Sequence, residues 1–290
     1  CYMGLRKIYG SNNCYILESL EGPSQDVNSA FVGFDKIASI NIKKNRLSIS
    51  GVKSIDNILK NFEANCDYLT ADEDDYLIKH GCTWDVLKEL HNLFFLEEQT
   101  NIGFISFFSY DTAKYIENLP DLIEKENFST ADISLELYRG LLKFDLDAST
   151  ITFEQAIVDG IEPIYLKDIV DDFKNVEEPI VKYEIPSPEL IVDSCTKSEF
   201  VSAAKSCLEH IAAGDIYQIQ IGHELRIKTK VDPLDIYLRL RKINPSPYMY
   251  FIPCNNLYVI GASPELFLKK EGNKIEMRPI AGTAYRTKNE

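Results

Sequence analysis

The sequence predicts an α+β protein. Short apolar or alternating runs read as strands, helical-period runs bounded by capping residues read as helices, and the two follow one another without the strict βα alternation of a parallel sheet. A chain of 290 residues suits one large domain or two ordinary ones, and 45% hydrophobic with 26% charged residues is the balance of a globular protein.

The first part is β-rich. Cys14–Leu17 forms a short apolar strand ending in Glu18-Ser19, Ala30–Phe34 forms another, and Ala38–Ile42 with Leu47–Ser50 forms a pair joined at Lys44-Asn45. Helices are expected over Ile55–Phe62 and from Thr83, as cap, to Leu96, with Trp84, Leu87, Leu90 and Leu93 at helical spacing. Gly103–Phe108 has the composition of a buried strand and leads into a helix, Asp111–Asn118, stopped by Pro120. Strands follow at Ile133–Tyr138, Leu141–Phe144 and, past a turn at Asp145–Ser149, at Thr150–Phe153; Leu166–Phe173 is a helix.

Charge and prolines mark a linker, placed at 176–195, between a first domain (1–175) and a second segment (196–290). Thr196-Lys197-Ser198-Glu199 is a capping box. Phe200, Ala203, Ala204, Cys207, Leu208 and Ile211 then line one helical stripe that Gly214 ends. Ile216–Glu224 alternates as a strand. Asp232-Pro233 opens a second helix that closes before Asn244-Pro245. Strands are expected at Tyr248–Ile252, Leu257–Ile260, Leu266–Lys269 and Lys274–Met277.

A formal charge of −14 repels phosphate backbones and anionic bilayers, so neither nucleic acid nor membrane is an expected partner. No apolar run approaches the roughly 20 residues of a spanning helix. The seven cysteines are dispersed without a C-x-x-C pair, the pattern of reduced thiols in a cytoplasmic protein. Cys1–Gly10 has no signal-peptide core, and a start without Met is expected from trimming. The sequon Asn127-Phe128-Ser129 reads as a chance match.

No phosphate-binding glycine loop, G-x-S-x-G or H-E-x-x-H motif occurs. Of the four histidines, His80, His91, His210 and His223, only His223 stands where a functional role is worth keeping. Asp72-Glu73-Asp74-Asp75 lacks the spaced ligands of a calcium loop and reads as a solvated turn. Three stretches exceed the needs of packing: Asn244-Pro245-Ser246-Pro247-Tyr248-Met249, a rigid turn before a strand; Gly261-Ala262-Ser263-Pro264-Glu265, small residues presenting a carboxylate; and Arg278-Pro279-Ile280-Ala281-Gly282-Thr283, a loop whose N–H groups suit an anion.

In this order, these stretches resemble the chorismate-binding enzyme family, and within it the large subunit, component I, of anthranilate synthase. The resemblance extends to Ile16-Leu17-Glu18-Ser19, to Gly103-Phe104 through Tyr110-Asp111, to Tyr115–Pro120 and to Gly214–Gln218. It implies a partial αββα sandwich of the anthranilate synthase component I type, truncated at the C-terminus. Residues 1–175 are then the N-terminal domain and 196–290 the first part of the chorismate-binding domain. The implied activity, in tryptophan biosynthesis, is conversion of chorismate and ammonia to anthranilate and pyruvate. The implied cofactor is Mg²⁺, and the implied partner is a glutamine amidotransferase subunit that supplies the ammonia.

By the same resemblance, Ala281, Gly282 and Thr283 line the substrate pocket. Many relatives that make aminodeoxychorismate for folate carry a nucleophilic lysine at the position of Ala281; alanine favours direct attack by ammonia. Glu18, Ser19, Pro247, Tyr248 and Met249 are the implied L-tryptophan feedback site. Asn28 stands where many feedback-inhibited relatives have a basic residue, and Ala284-Tyr285 replaces a more usual Arg-Pro. The family's catalytic histidine, metal-binding glutamates and carboxylate-binding arginine lie beyond Thr283, so no catalytic or metal-ligating residue is expected in this chain, and the chain alone is expected to be inactive. Two alternatives stand beside this reading: the aminodeoxychorismate synthase large subunit, and a non-catalytic amino-acid-binding or docking domain.

Overall fold

The structure, a computed structural model, describes residues 1–23, 29–72, 75–94, 101–120, 130–173 and 186–282. The chain forms two compact units, one of Cys1–Pro179 with Pro245–Ala262 and one of Ile180–Asn244 with Ser263–Glu290. The first unit runs α1 (Tyr2–Tyr9), β1 (Cys14–Glu18), β2 (Ser29–Lys43), β3 (Arg46–Gly51), α2 (Lys53–Asn65), β4 (Leu69–Asp72), β5 (Asp75–Ile78), α3 (Thr83–Phe94), β6 (Phe104–Phe108), β7 (Ile133–Asp145), β8 (Thr150–Gln155) and α4 (Leu166–Phe173). The second begins with β9 (Leu190–Asp193), α5 (Lys197–Ala213), β10 (Leu225–Lys228) and α6 (Pro233–Ile243). The chain returns to the first unit for β11 (Tyr248–Cys254) and β12 (Leu257–Ser263), then adds β13 (Lys269–Glu271) and β14 (Lys274–Glu276) to the second.

The first unit is built on one ten-stranded sheet. Its spine is the antiparallel pair β2–β7, in register from Ser29↔Asp145 to Ile42↔Ile133. The other edge of β2 is shared by β1 at one end and β3 at the other. The other edge of β7 is shared in the same way by β8 and β6. The sequence divides each spine strand in two, and the structure joins the halves. In β2 the alternation is interrupted by a bulge between Lys36 and Ala38, preceded by Asp35 at φ 61°. There the Arg139 guanidinium donates through Nε to Asp35 Oδ2 at 2.5 Å and through Nη1 to the Glu162 carbonyl at 2.6 Å.

Glycine lets aromatic rings lie across the spine. A Cβ on Gly33 would stand 1.9 Å from Tyr15 Cε1, and one on Gly140 would stand 2.4 Å from Phe34 Cζ. Each pair is a direct cross-strand neighbour. α2 and α3 cover the sheet, with Phe62, Val86 and Leu90 packed with Ile40, Ile42, Leu47, Ile133 and Leu135, and Ile55 and Leu59 packed with Ile37, Ala38 and Leu137. Glu136 is buried within the sheet at 2% exposure, with Lys36 Nζ 3.2 Å from Oε2 and the Ser39 hydroxyl donating to Oε1 at 3.0 Å.

At the far end of the spine, Lys44 and Asn45, at φ 50° and 61°, form the tight turn between β2 and β3. The Lys44 N–H donates to Asp132 Oδ2 at 2.9 Å, as does the Tyr115 hydroxyl at 2.8 Å, while the Asn45 N–H donates to the Tyr115 oxygen at 3.2 Å. The Thr112 hydroxyl and the Ser109 N–H both donate to the Asp132 carbonyl at 2.8 Å. Partial burial, together with the Asp132 carboxylate, raises the Tyr115 phenol to about 12.

In the second unit β9 pairs with β10 and β13 with β14, both antiparallel. The capping box at Thr196 forms, Gly214 closes α5 in the left-handed region at φ 86°, and Asp232 caps α6 by accepting from the Leu234 N–H. The apolar stripe of α5 lies on a helix with no buried residue; Leu208 is 64% exposed, because no element among the described residues of this unit covers it.

Several local expectations are corrected. Thr83 is the first residue of α3 and is buried; α3 turns Val86 and Leu90 inward, leaving Trp84 and Leu93 largely exposed. Among the described residues β6 pairs only with β7, and as an edge strand it is half exposed. The segment after it closes as a 3₁₀ turn, Tyr110–Tyr115, held by Asp132, in place of a longer helix. Ile216–Glu224 is irregular; Ile216, Ile219 and Ile221 do not hold a period of two, and the strand lies at β10, paired with an unforeseen β9 in the stretch expected as linker. The third of the late strands starts at Lys269 instead of Leu266. α1, β4 and β5 are likewise unforeseen, and Asp72 and Asp75 end β4 and begin β5, both facing Arg46. The first half of the linker, Asn28, the sequon and Ala284–Arg286 lie outside the described residues.

Two measurements check this account. Lys36→Met strands the buried Glu136 carboxylate and lowers stability in urea unfolding by about 3 kcal/mol, whereas Lys36→Met combined with Glu136→Gln recovers most of the loss. Tyr115→Phe costs about 1 kcal/mol near neutral pH. Because the folded phenol titrates above its ordinary value of 10, its contribution is complete below pH 10 and declines as pH rises toward 12. The gap between wild type and Tyr115→Phe in urea melts therefore narrows over that window.

Candidate functional site

Two prolines set up the first candidate region. Pro245 and Pro247 fix the backbone ahead of β11, so that this strand enters the sheet edge beside β1 with Met249 opposite Glu18 and Phe251 opposite Ile16. The Leu20 N–H donates to the Ser246 carbonyl at 3.1 Å, and the Ser19 N–H donates to the Ser29 carbonyl at 3.2 Å. A Cβ on Gly22 would stand 3.0 Å from the Pro247 Cβ. The structure thus gathers Glu18, Ser19, Pro247, Tyr248 and Met249 at one corner of the first unit. Pro247 and Met249 are buried, and Glu18, Ser19 and Tyr248 are half-buried. Strand alternation puts Met249 on the same face as Glu18 and Tyr248 on the other. A carboxylate at the edge of an apolar corner is a chemical match for an ammonium group attached to an apolar body.

The second candidate region belongs to the second unit. After β12 the Ser263 hydroxyl accepts from the Glu265 N–H at 3.2 Å, which turns the Glu265 carboxylate toward the later loop. Glu265 Oε1 accepts from the Ile280 N–H at 3.1 Å. Two of the three sequence stretches are thereby tied together at the residue before Ala281. Ala281 and Gly282 are exposed, and a Cβ on Gly282 would meet nothing within 4 Å. Thr283 lies outside the described residues. Glu265 was legible only as a carboxylate on a turn; its bond to Ile280 joins positions with no shared local pattern.

The histidines separate clearly. His80 borders a polar cleft of about 860 Å³ in the first unit, beside Lys44, Tyr115 and Asp132. His91 lies on the exposed face of α3, and His210 pairs with Asp215 at 2.8 Å at the end of α5. His223 pairs with Asp193 at 2.6 Å, and Cys195 completes a group of three potential ligands. This group is the only one of its kind among the described residues. A thiolate and an imidazole do not suit Mg²⁺, which takes hard oxygen donors, so no magnesium step is assigned to these residues.

Comparison with known proteins places the fold and the family. The profile of the chorismate binding enzyme family matches residues 26–290. A 2-amino-4-deoxychorismate synthase of Streptomyces globisporus is 35% identical over 99% of this chain and 59% of its own length. The chloroplastic anthranilate synthase alpha subunit 1 of Arabidopsis thaliana is 33% identical over 65% of this chain and 35% of its own length. The crystal structure of anthranilate synthase component I from Streptococcus pneumoniae TIGR4 superimposes with a TM-score of 0.63 at 18% identity, covering 88% of this chain and 54% of that one. The α+β architecture is therefore that of anthranilate synthase component I, and this chain spans little more than half the length of the solved protein. With the family's profile over nearly the whole sequence and its characteristic stretches gathered into two built corners, the chain belongs to the chorismate binding enzyme family.

Proposed function

We propose that this chain is the front portion of an anthranilate synthase large subunit, which joins ammonia to chorismate and releases pyruvate, and that its β1–β11 corner is an L-tryptophan feedback site. The observation that carries the reading is the pairing of Glu18 with Met249, because it assembles a carboxylate and an apolar wall from two segments distant in sequence. In this reading Glu18 receives the amino acid's ammonium, and Pro247 and Met249 form part of the wall for the indole. The N–H groups of the Ala281–Gly282 loop, positioned by Glu265, face the carboxylate side of chorismate. Ala281 offers no nucleophile, so ammonia attacks the ring directly, supplied by a glutamine amidotransferase partner. Mg²⁺ and the acid–base groups of the ring chemistry come from sequence outside these residues.

A second reading is favoured by the Streptomyces relative, whose name places an amino group on the chorismate skeleton itself. In that case the protein aminates chorismate and retains the enolpyruvyl group. The two readings differ in whether pyruvate leaves.

Supplying the complete open reading frame with chorismate, Mg²⁺ and ammonium decides between them. Anthranilate and pyruvate in equal amounts support the first reading, and an aminated chorismate without pyruvate supports the second. The 290-residue chain alone gives no product under the same conditions. Calorimetric titration of the complete protein with L-tryptophan gives saturable binding, and Glu18→Ala weakens it about tenfold or more, the scale of one charge-assisted contact. Tryptophan affinity unchanged in Glu18→Ala removes the feedback site from the β1–β11 corner.

A further inference from the structure

We infer that Asp193, Cys195 and His223 form a binding site for a thiophilic divalent transition ion, of which Zn²⁺ is the natural occupant. Their ligand atoms all lie within 4.8 Å of one another. They come from two separate stretches of chain, so their meeting is a product of the fold and not of a local acidic run.

The scaffold beneath them is well tied. Asp193 ends β9 opposite Leu225, the first residue of β10. One position further, the Ser194 N–H donates to the Glu224 carbonyl at 2.9 Å, and the Glu224 N–H donates to the Ser194 hydroxyl at 2.7 Å. Cys195 on one strand and His223 on the other are therefore carried just past the end of the ribbon. Cys195 directly precedes the Thr196 capping box, which fixes its backbone at the start of α5. Phe200, on the first turn of that helix, packs its ring against the imidazole at a centroid distance of 6.0 Å. Asp193 Oδ1 faces both His223 Nδ1, at 2.6 Å, and the Cys195 N–H, at 3.2 Å.

The donor set selects the ion. One thiolate, one imidazole and one carboxylate, with water in the fourth position, is a set that tetrahedral Zn²⁺ accepts, and it is unsuited to Mg²⁺ or Ca²⁺. With thiolate and carboxylate ionised and imidazole neutral, the ligands carry two negative charges, which the ion neutralises. Metal–ligand bonds of about 2.0–2.3 Å put tetrahedral donor atoms roughly 3.3–3.7 Å apart. Binding therefore opens the Asp193–His223 contact by less than about 1 Å, within the reach of side-chain rotation. In contrast, the other histidine–carboxylate pair, His210–Asp215, has no thiol in its group and belongs to no such cluster.

Titration of the reduced, metal-free chain with Co²⁺, followed by displacement with Zn²⁺, tests the site. The expected result is one equivalent bound, with visible d–d bands of tetrahedral strength and a near-ultraviolet thiolate-to-cobalt band, all lost on adding Zn²⁺. Cys195→Ser abolishes the thiolate band, and His223→Gln weakens Zn²⁺ binding at least tenfold. His210→Gln leaves both unchanged. Circular dichroism of the two site variants reports whether the fold is retained, and either folded variant suffices. Absence of the bands, a thiolate band that persists in Cys195→Ser, or Zn²⁺ affinity unchanged in His223→Gln overturns the proposal.

Discussion

The β2–β7 ladder is the constraint on which the first unit depends. Each of these strands is long enough to hold two shorter strands end to end along its outer edge, so one pairing organises the other members of the sheet. Its register is fixed from within by the bulge at Asp35–Ala38, the Arg139–Asp35 contact and the buried Glu136–Lys36 pair. A slip by one residue would turn either Ile40 and Ile42 or Leu135 and Leu137 from the helix-covered face to the opposite one. It would also remove Phe34 from Gly140, the glycine that receives its ring.

The same ladder reaches the β1–β11 corner. β1 lies on β2 and β11 lies on β1, so the separation of Glu18 from Met249 is set by backbone hydrogen bonding and does not depend on flexible loops. The second unit is organised differently. Two separate β-ribbons and two helices leave the apolar residues of α5, β9 and β10 largely exposed, and its order comes from caps and turns more than from a core.

Local chemistry was the legible part of this fold. The boundaries of β1, α4 and α6, the capping box at Thr196 and the turn at Lys44-Asn45 follow from residues adjacent in sequence, and the structure places them where their side chains require. Misreadings arose where long-range pairing decides. The bulge hid the continuity of β2, and the Asp132 hub kept Tyr110–Tyr115 as a single tight turn where helical spacing suggested more. Of the candidate site residues, Glu18 and Ser19 and the Pro247–Met249 stretch were legible as motifs, and their adjacency was implied by the family resemblance alone, since no local pattern joins segments so far apart in sequence. The Asp193–Cys195–His223 grouping left no signal beyond one isolated histidine, because its members are brought together by the β9–β10 pairing alone.

The β1–β11 pairing also has a temporal side. β1 leaves the ribosome more than 200 residues ahead of β11. At a synthesis rate of roughly 5–20 residues per second, the outer edge of β1 waits on the order of ten seconds or longer for its partner. During that interval the nascent sheet presents an open strand edge of Ile16 and Leu17, able to pair with any extended segment nearby. The strand that completes the β1–β11 corner is thus also the one that seals the growing chain against misassembly, and chaperone capture of stalled chains should concentrate on those halted before Tyr248.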